Sequence, residues 1–320
     1  MGVLTPLINK GDLFMKINLL ILKGGTSLER EISLKSFDYV MKHLNKQKYN
    51  IQYLDVCNIQ DLIQMINDFK PQIVLNLMHG GMGEDGLIQS LLSLLNIKYV
   101  GSKSLSSSIC IDKNISKTIL KANNIPIIDY VYIKKDENPY LYKNEIDELI
   151  YPVIIKPNKG GSSIGVKIAK NIDETIDAIN KIKDLEDDIL IEKFITGKEA
   201  TCTVVQTKDG LEVLPILDID VDGDFFDFNA KYKNNTNINF TNEPIFLQTM
   251  IKEVAKKSFD ILKCEGYANI DFIIKNDDIY VLEINTIPGF TQKSLLTKTL
   301  DLCGKNVTQF LDQLIDFAYY

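Results

Sequence analysis

From Lys16 onward the chain alternates short apolar runs with longer amphipathic stretches. Residues 17–22, 51–56, 73–77 and 98–100 are strand-length segments rich in Ile, Leu, Val and Tyr. Residues 33–44, 59–69 and 87–95 instead repeat apolar positions at helical spacing. The order predicts β-α-β-α-β-α-β, an α/β domain whose parallel sheet is covered by helices. Ligands of such sheets bind at the carboxyl ends of the strands, which selects two glycine-bearing loops, 23–30 and 78–85.

Beyond a serine-rich segment at 102–108, read as a turn, the character changes. A helix at 114–123, a strand at 130–133 and a polar loop at 134–144 precede a strand at 153–156 and a glycine- and serine-rich turn at 158–165. Another strand, a helix at 172–183 and a strand at 189–194 complete a small α+β unit. From Glu199 the pattern predicts strands at 200–206 and 212–219, a polar stretch at 220–243 and a helix at 246–262. Strands 268–274 and 279–283 follow, joined by the hairpin-turn composition Asn276-Asp277-Asp278, and two helices close the chain. The expected units are 1–111, with 1–14 a loose extension, then 112–194 and 195–320.

A length of 320 residues suits two or three such units. The net charge of −7 argues against a nucleic-acid footprint, which needs clustered positive charge. Arg30 is the single arginine, so bidentate guanidinium recognition is available at one place only. Five well-separated cysteines without a CxxC pair fit reduced thiols in the cytoplasm. His43 and His79 are too few for a histidine-rich metal site, so any metal rests on oxygen ligands and magnesium becomes the default. No apolar run approaches the roughly 20 residues of a membrane span.

Three segments carry candidate chemistry. In Lys156-Pro157-Asn158-Lys159-Gly160-Gly161-Ser162-Ser163-Ile164-Gly165, small residues leave a strand and let backbone N–H groups approach a phosphate; a plain hairpin turn explains the glycines equally. Asp271, Glu283 and Asn285 stand on two strands that the 276–278 turn makes antiparallel, so two carboxylates and an amide oxygen come together in a set suited to magnesium; solvated charges beside a hairpin are the plain alternative. Glu283 leaves its apolar strand straight into the tight turn 284–289. Finally, 23–31 and 79–86 place Glu29 opposite His79, a site for an amino or carboxyl group, although Thr26 and Glu29 also have the spacing of a helix capping box.

Taken in order, GGTSLEREISLKS (24–36), HGGMGEDGLIQ (79–89), DK (112–113), YPVIIKPNKGGSSIG (151–165), EKFITGKE (192–199), FNAKY (228–232) and YVLEINTIPGFTQKS (280–294) resemble the D-alanine–D-alanine ligases of the ATP-grasp superfamily. The resemblance runs over nearly the whole chain from about Lys16. It implies a pre-ATP-grasp N-terminal domain followed by a two-lobed ATP-grasp module. The activity it implies is ATP- and magnesium-dependent ligation of two D-alanines through an acyl phosphate, in the cytoplasm, for peptidoglycan precursors. Lys113, Lys156 and the Ser162-Ser163 turn would meet the ATP phosphates, Glu192, Lys193, Phe194 and Ile195 would border adenine, and Glu199 would hold the ribose. Lys231 would steady the γ-phosphate, and Asp271, Glu283 and Asn285 would hold two magnesium ions, with manganese a substitute.

By the same resemblance Glu29 would bind the first ammonium beside His79, linked by hydrogen bonds to Ser162 and Tyr232. Ser294 and Leu295 would receive the second substrate, and the Gly289 N–H would join the oxyanion hole. The 220–243 stretch and the Ser162-Ser163 turn would form the lid, and two copies would pair through the N-terminal domain. The chain departs from the family in three places. Asn269 stands where an arginine supports the oxyanion, Ser90 and Ser93 replace a glycine and a glutamate, and Thr297 replaces a proline, all expected around substrate. A ligase with another substrate pair, or a nucleotide-binding regulatory protein without turnover, is the alternative.

Overall fold

The structure is a computed structural model and describes residues 16–183, 187–221 and 236–320. The expected extension and the Lys231-Tyr232 pair lie outside the described residues.

The first unit is a four-stranded parallel sheet of order β2-β1-β3-β4, formed by β1 (Ile17–Gly24), β2 (Tyr49–Val56), β3 (Ile73–Asn76) and β4 (Lys98–Tyr99). Its helices are α1 (Arg30–His43), α2 (Ile59–Phe69) and α3 (Leu87–Leu94). Residues 19–22 of β1 are an unbroken apolar run because both faces are covered there. Leu19 and Ile21 join the core on one side, Leu20 and Leu22 that on the other. α2 starts at Asn58, whose side chain accepts the Asp61 N–H at 2.9 Å.

The serine-rich segment expected as a turn is instead α4 (Ser104–Ile111). Ser106 and Ser107 are buried, and the Ser106 hydroxyl donates to the Lys263 carbonyl, so tertiary contacts override the weak helix propensity of serine. α5 (Lys113–Ala122) follows at once, capped by Asp112, which accepts the Ile115 N–H at 3.0 Å. The second sheet is antiparallel, ordered β5-β8-β6-β7, from β5 (Tyr130–Ile133), β6 (Val153–Pro157), β7 (Lys167–Ala169) and β8 (Ile189–Lys193). α6 (Lys143–Glu148) and α7 (Ile172–Lys183) accompany it.

The third sheet runs β12-β11-β9-β13-β14 with β10 beside β9. Its strands are β9 (Lys198–Thr207), β10 (Gly210–Val213), β11 (Leu217–Val221), β12 (Thr236–Phe240), β13 (Tyr267–Lys275) and β14 (Asp278–Asn285). The single strand expected at 212–219 splits around Pro215, which has no N–H for a ladder. α8 (Ile245–Ile261), α9 (Leu295–Leu302) and α10 (Val307–Tyr319) complete the described elements. Phe310, Leu311 and Leu314 of α10 pack with Leu19, Ile21 and Leu75, so the end of the chain returns to the first sheet. All three sheets therefore converge on one region, which the two N-terminal loops and the 158–166 turn enclose.

Candidate active site

The loops leaving β1 and β3 sit at the carboxyl edge, where the strand order reverses between those neighbours. Glu29 is the residue before α1 and makes no side-chain cap, so the capping box expected from Thr26 and Glu29 is absent. Its carboxylate turns away from the helix and accepts the Ser162 hydroxyl, binding the first unit to the glycine-rich turn of the second. A side chain at Gly161 would begin 2.6 Å from Glu29 Oε2, so only glycine lets the turn approach this closely. Ser162 and Ser163 themselves adopt φ of 51° and 56°, the left-handed region, which exposes the turn to the cavity beneath.

His79 is buried behind Glu29. Its Nε2 lies 3.2 Å from the Ser36 hydroxyl, which accepts the Phe290 N–H at 3.1 Å and so ties the histidine loop to the C-terminal substrate loop. Burial pushes the imidazole down to about 4, opposed by the Ile287 backbone, so it is neutral near pH 7. Glu84, which the motif analysis left without a role, lines the same cavity and accepts the Gly80 N–H at 2.6 Å. Burial and then the Glu29 charge hold its carboxyl above the usual carboxylate range. The signal for it was a carboxylate inside a glycine-rich loop of the predicted binding edge.

The antiparallel hairpin forms as expected, with Asn276 at φ 56° in its turn. Asp271 and Glu283 are direct register partners, and Asn269 faces Asn285 two positions along. The Thr201 hydroxyl donates to Asp271 Oδ1 at 2.6 Å, and Asn285 Oδ1 accepts the Ile287 N–H at 3.0 Å. Lys113 Nζ stands 3.3 Å from Glu283 Oε2 and donates to the Gly160 carbonyl. Two carboxylates and an amide oxygen, without sulfur or imidazole, are a donor set that fits a hard divalent cation.

Two cavities meet here. One, of about 140 Å³, is lined by Glu29, His79, Asn269, Gly289, Lys293 and Ser294. The other, of about 280 Å³, is lined by Lys156, Ser163, Glu192, Phe194, Ile195 and Glu199. Lys113, Asp271, Glu283 and Leu295 line both. Lys193 is the exception among the expected residues: strand alternation turns it to solvent, and its N–H donates to the Asp129 carbonyl.

In the larger cavity Glu192 is buried between two lysines, with Lys156 Nζ at 2.7 Å and Lys117 Nζ at 2.9 Å. The second contact is an ion pair whose alignment falls short of a hydrogen bond. Burial alone would raise the Glu192 carboxyl, but the two ammonium groups outweigh it and hold it low. Burial lowers Lys117, and Glu192 opposes that shift. Lys117 was missed by motif reading; its one signal is the four-residue spacing from Lys113 on one face of α5.

On the substrate side the Gly289 backbone and the Ser294 hydroxyl are in contact, since a side chain at Gly289 would begin 2.7 Å from that oxygen. Ser294 precedes α9 and accepts the Thr291 N–H at 2.9 Å. The buried Thr297 hydroxyl reaches the carbonyls of Thr291 (2.6 Å) and Ser294 (2.8 Å), which ties the loop together. Asn269 Oδ1 accepts the Thr203 hydroxyl at 2.7 Å. Ser90 and Ser93 are not around the cavity: their hydroxyls pair with Ser104 and Tyr99 at 2.6 and 2.9 Å and join α3 to its neighbours.

Comparison with known proteins agrees with this arrangement. The family description "D-ala D-ala ligase C-terminus" matches residues 119–316, and "D-ala D-ala ligase N-terminus" matches residues 58–102. The D-alanine–D-alanine ligase A of Bacillus cereus is 38% identical over 301 residues, which cover 93% of this chain and 96% of the relative. The crystal structure of the D-alanine–D-alanine ligase from Bacillus anthracis complexed with ATP superposes with a TM-score of 0.83 at 34% identity, covering 94% and 97% of the two chains. The VanG D-Ala:D-Ser ligase from Enterococcus faecalis superposes at 0.79 with 26% identity, covering 95% of this chain and all of the other. By sequence and by fold, this chain belongs to the D-alanine–D-alanine ligase family.

Proposed function

We propose that the protein joins two D-alanines into D-alanyl-D-alanine with cleavage of ATP to ADP and phosphate, on an ATP-grasp scaffold divided at about 111 and 194. ATP occupies the larger cavity, with adenine against Phe194 and Ile195, the ribose hydroxyls on Glu199, and the phosphates toward Lys113, Lys156 and the 160–163 turn. Asp271, Glu283 and Asn285 would hold magnesium, which when bound offsets the phosphate charge.

The first D-alanine lies in the smaller cavity with its ammonium on Glu29 beside neutral His79. Its carboxylate oxygen attacks the γ-phosphorus, the bond to the β-phosphate oxygen breaks, and ADP leaves, with Lys231 steadying the transferred group. The neutral amine of a second D-alanine, held by Ser294 and Leu295, then attacks the acyl carbon. The Gly289 N–H and the Asn269 amide donate to the developing oxyanion before phosphate departs. The Glu29–Ser162 bond, with Tyr232, keeps the turn closed so that water does not intercept the acyl phosphate.

The observation that carries this reading is the meeting of the two cavities at Lys113, Asp271 and Glu283, beneath a turn latched to Glu29. It is tested by ADP release with ATP, magnesium and D-alanine, with the product identified by mass. D-alanyl-D-alanine is expected; nucleotide binding without turnover refutes the reading. A second reading, a different second substrate such as D-serine or a hydroxy acid, is favoured by the neutral Asn269 in the oxyanion position, and the same assay with a panel of acceptors decides it. The role in peptidoglycan precursor synthesis and the cytoplasmic location follow from the product. Pairing of two copies accords with Leu87, Leu94 and Leu105, which are 63%, 80% and 65% exposed on α3 and α4.

A further inference from the structure

We propose that Lys117, buried behind the wall of the larger cavity, is a positioning residue for the ATP phosphates: it turns the Lys117–Glu192–Lys156 group into a net cation that faces them through Lys156. The inference rests on the placement of ATP proposed above. Lys117 lies on the inner face of α5, whereas Glu192 and Lys156 line the cavity. β6 and β8 pair with Ile154 opposite Glu192, so Lys156, two residues on, projects from the same face of the sheet and reaches the carboxylate diagonally.

The two oxygens of Glu192 are divided between the lysines. Oε2 stands 2.7 Å from Lys156 Nζ, and Oε1 stands 2.9 Å from Lys117 Nζ. With Lys156 alone the carboxylate would form a neutral pair, and Lys156 would meet a polyphosphate with its charge already cancelled. A second ammonium on the other oxygen leaves the three groups with one positive charge. Their side chains are 2%, 2% and 11% exposed for Lys117, Glu192 and Lys156, so little water screens that charge, and it opens toward the cavity at the Lys156 end.

Stability does not explain a lysine here. Exchange of a buried ion-pair partner set for well-packed apolar groups is often neutral or stabilising, because no charge then has to be desolvated. Leu120, the next residue on the same buried face of α5, is of that apolar kind, yet position 117 holds an ammonium. Two neighbours keep it charged. Glu192 opposes the lowering that burial imposes, and the Tyr130 ring lies with its centroid 6.0 Å from Nζ. Lys113 stands one turn earlier on the same face and lines both cavities, so α5 brings one cation to the cavity and a second behind it.

The test measures dissociation constants for ATP, AMP and adenosine at fixed magnesium, in the wild type, Lys117→Met and the double variant Lys117→Met/Glu192→Gln, with folding checked by thermal unfolding. Lys117→Met is expected to weaken ATP about tenfold or more, AMP less, and adenosine less than about twofold, because the lost charge acts on phosphates. In turnover the KM for ATP rises with it, while the KM values for both D-alanines stay within about twofold. The double variant again carries one positive charge, that of Lys156, so its ratio of adenosine to ATP dissociation constants is expected to return to within about threefold of wild type. Lys117→Gln takes the place of the methionine variant if the latter does not fold. Equal weakening of all three ligands, an unchanged ATP constant, or a double variant that keeps the ratio of Lys117→Met overturns the proposal. A wild type that binds no ATP refutes the ligase reading instead, before any variant is compared.

Discussion

The two cavities share a wall yet are built differently. In the larger one the charged groups rise from sheets and helix faces: Lys156 at the end of β6, Glu192 in β8, Lys117 in α5, with Glu192 gripped from both sides at 2.7 and 2.9 Å. In the smaller one Glu29 and Glu84 ride on loops, and closure depends on hydroxyl contacts such as Ser162 to Glu29 and Thr297 to Thr291. The substrate side is where this chain departs, at Asn269 in β13 and Thr297 in α9, and hydroxyl contacts hold both side chains in place.

This contrast is broken most severely by Glu192→Gln. It removes the counter-charge from buried Lys117 and from Lys156, and is expected to cost about 3–5 kcal/mol of stability, read by urea unfolding at pH 7. Next, Asp271→Asn leaves the fold intact and is expected to lower turnover by about 10²–10³, measured as ADP release, with unfolding unchanged within about 1 kcal/mol. A Glu192 variant as stable as wild type would remove the distinction between the two cavities.

The pH response sharpens the substrate side. His79 is held near 4 by burial, whereas an unfolded chain binds that proton near its ordinary value of 6.5. Between those values the unfolded state carries more protons, so stability falls as the pH drops from about 6.5 toward 4 and levels off below. The expected size is about 3 kcal/mol, and His79→Asn should flatten that slope in urea unfolding followed from pH 7 to 4. Smallest is Thr297→Val: the loop loses its two carbonyl contacts, for about 1–2 kcal/mol, and the second-site KM rises a few-fold with the first unchanged.

Individual residues show why the sequence was readable in some places and not in others. The Asp271–Glu283 pairing was legible because a three-residue turn between apolar strands leaves few registers, and one of them sets the two acids side by side. The buried centres of β1 and β3 were legible from the unbroken apolar runs 19–22 and 73–75. α4 was not, because four serines in eight residues look like a turn until Ser106 finds the Lys263 carbonyl far away in sequence. Glu29 illustrates the same limit: its spacing from Thr26 fits a helix cap as well as a site, and only the resemblance pointed to Ser162, 133 residues on, as its partner. Lys193 turns to solvent for a local reason, since alternation along β8 sends it opposite to Glu192.

What the sequence by itself determined was the order of strands and helices, the motif segments, and the residue types able to bind phosphate, divalent cation and amino acid. Those depend on periodicity and local chemistry, which are written along the chain. Only the tertiary structure decided which acid faces which base. It brought Lys117 and Lys156 onto one carboxylate and latched Glu29 to a turn of another sheet. These are contacts between distant segments, and they exist only once burial has made an unpaired charge too costly to leave alone.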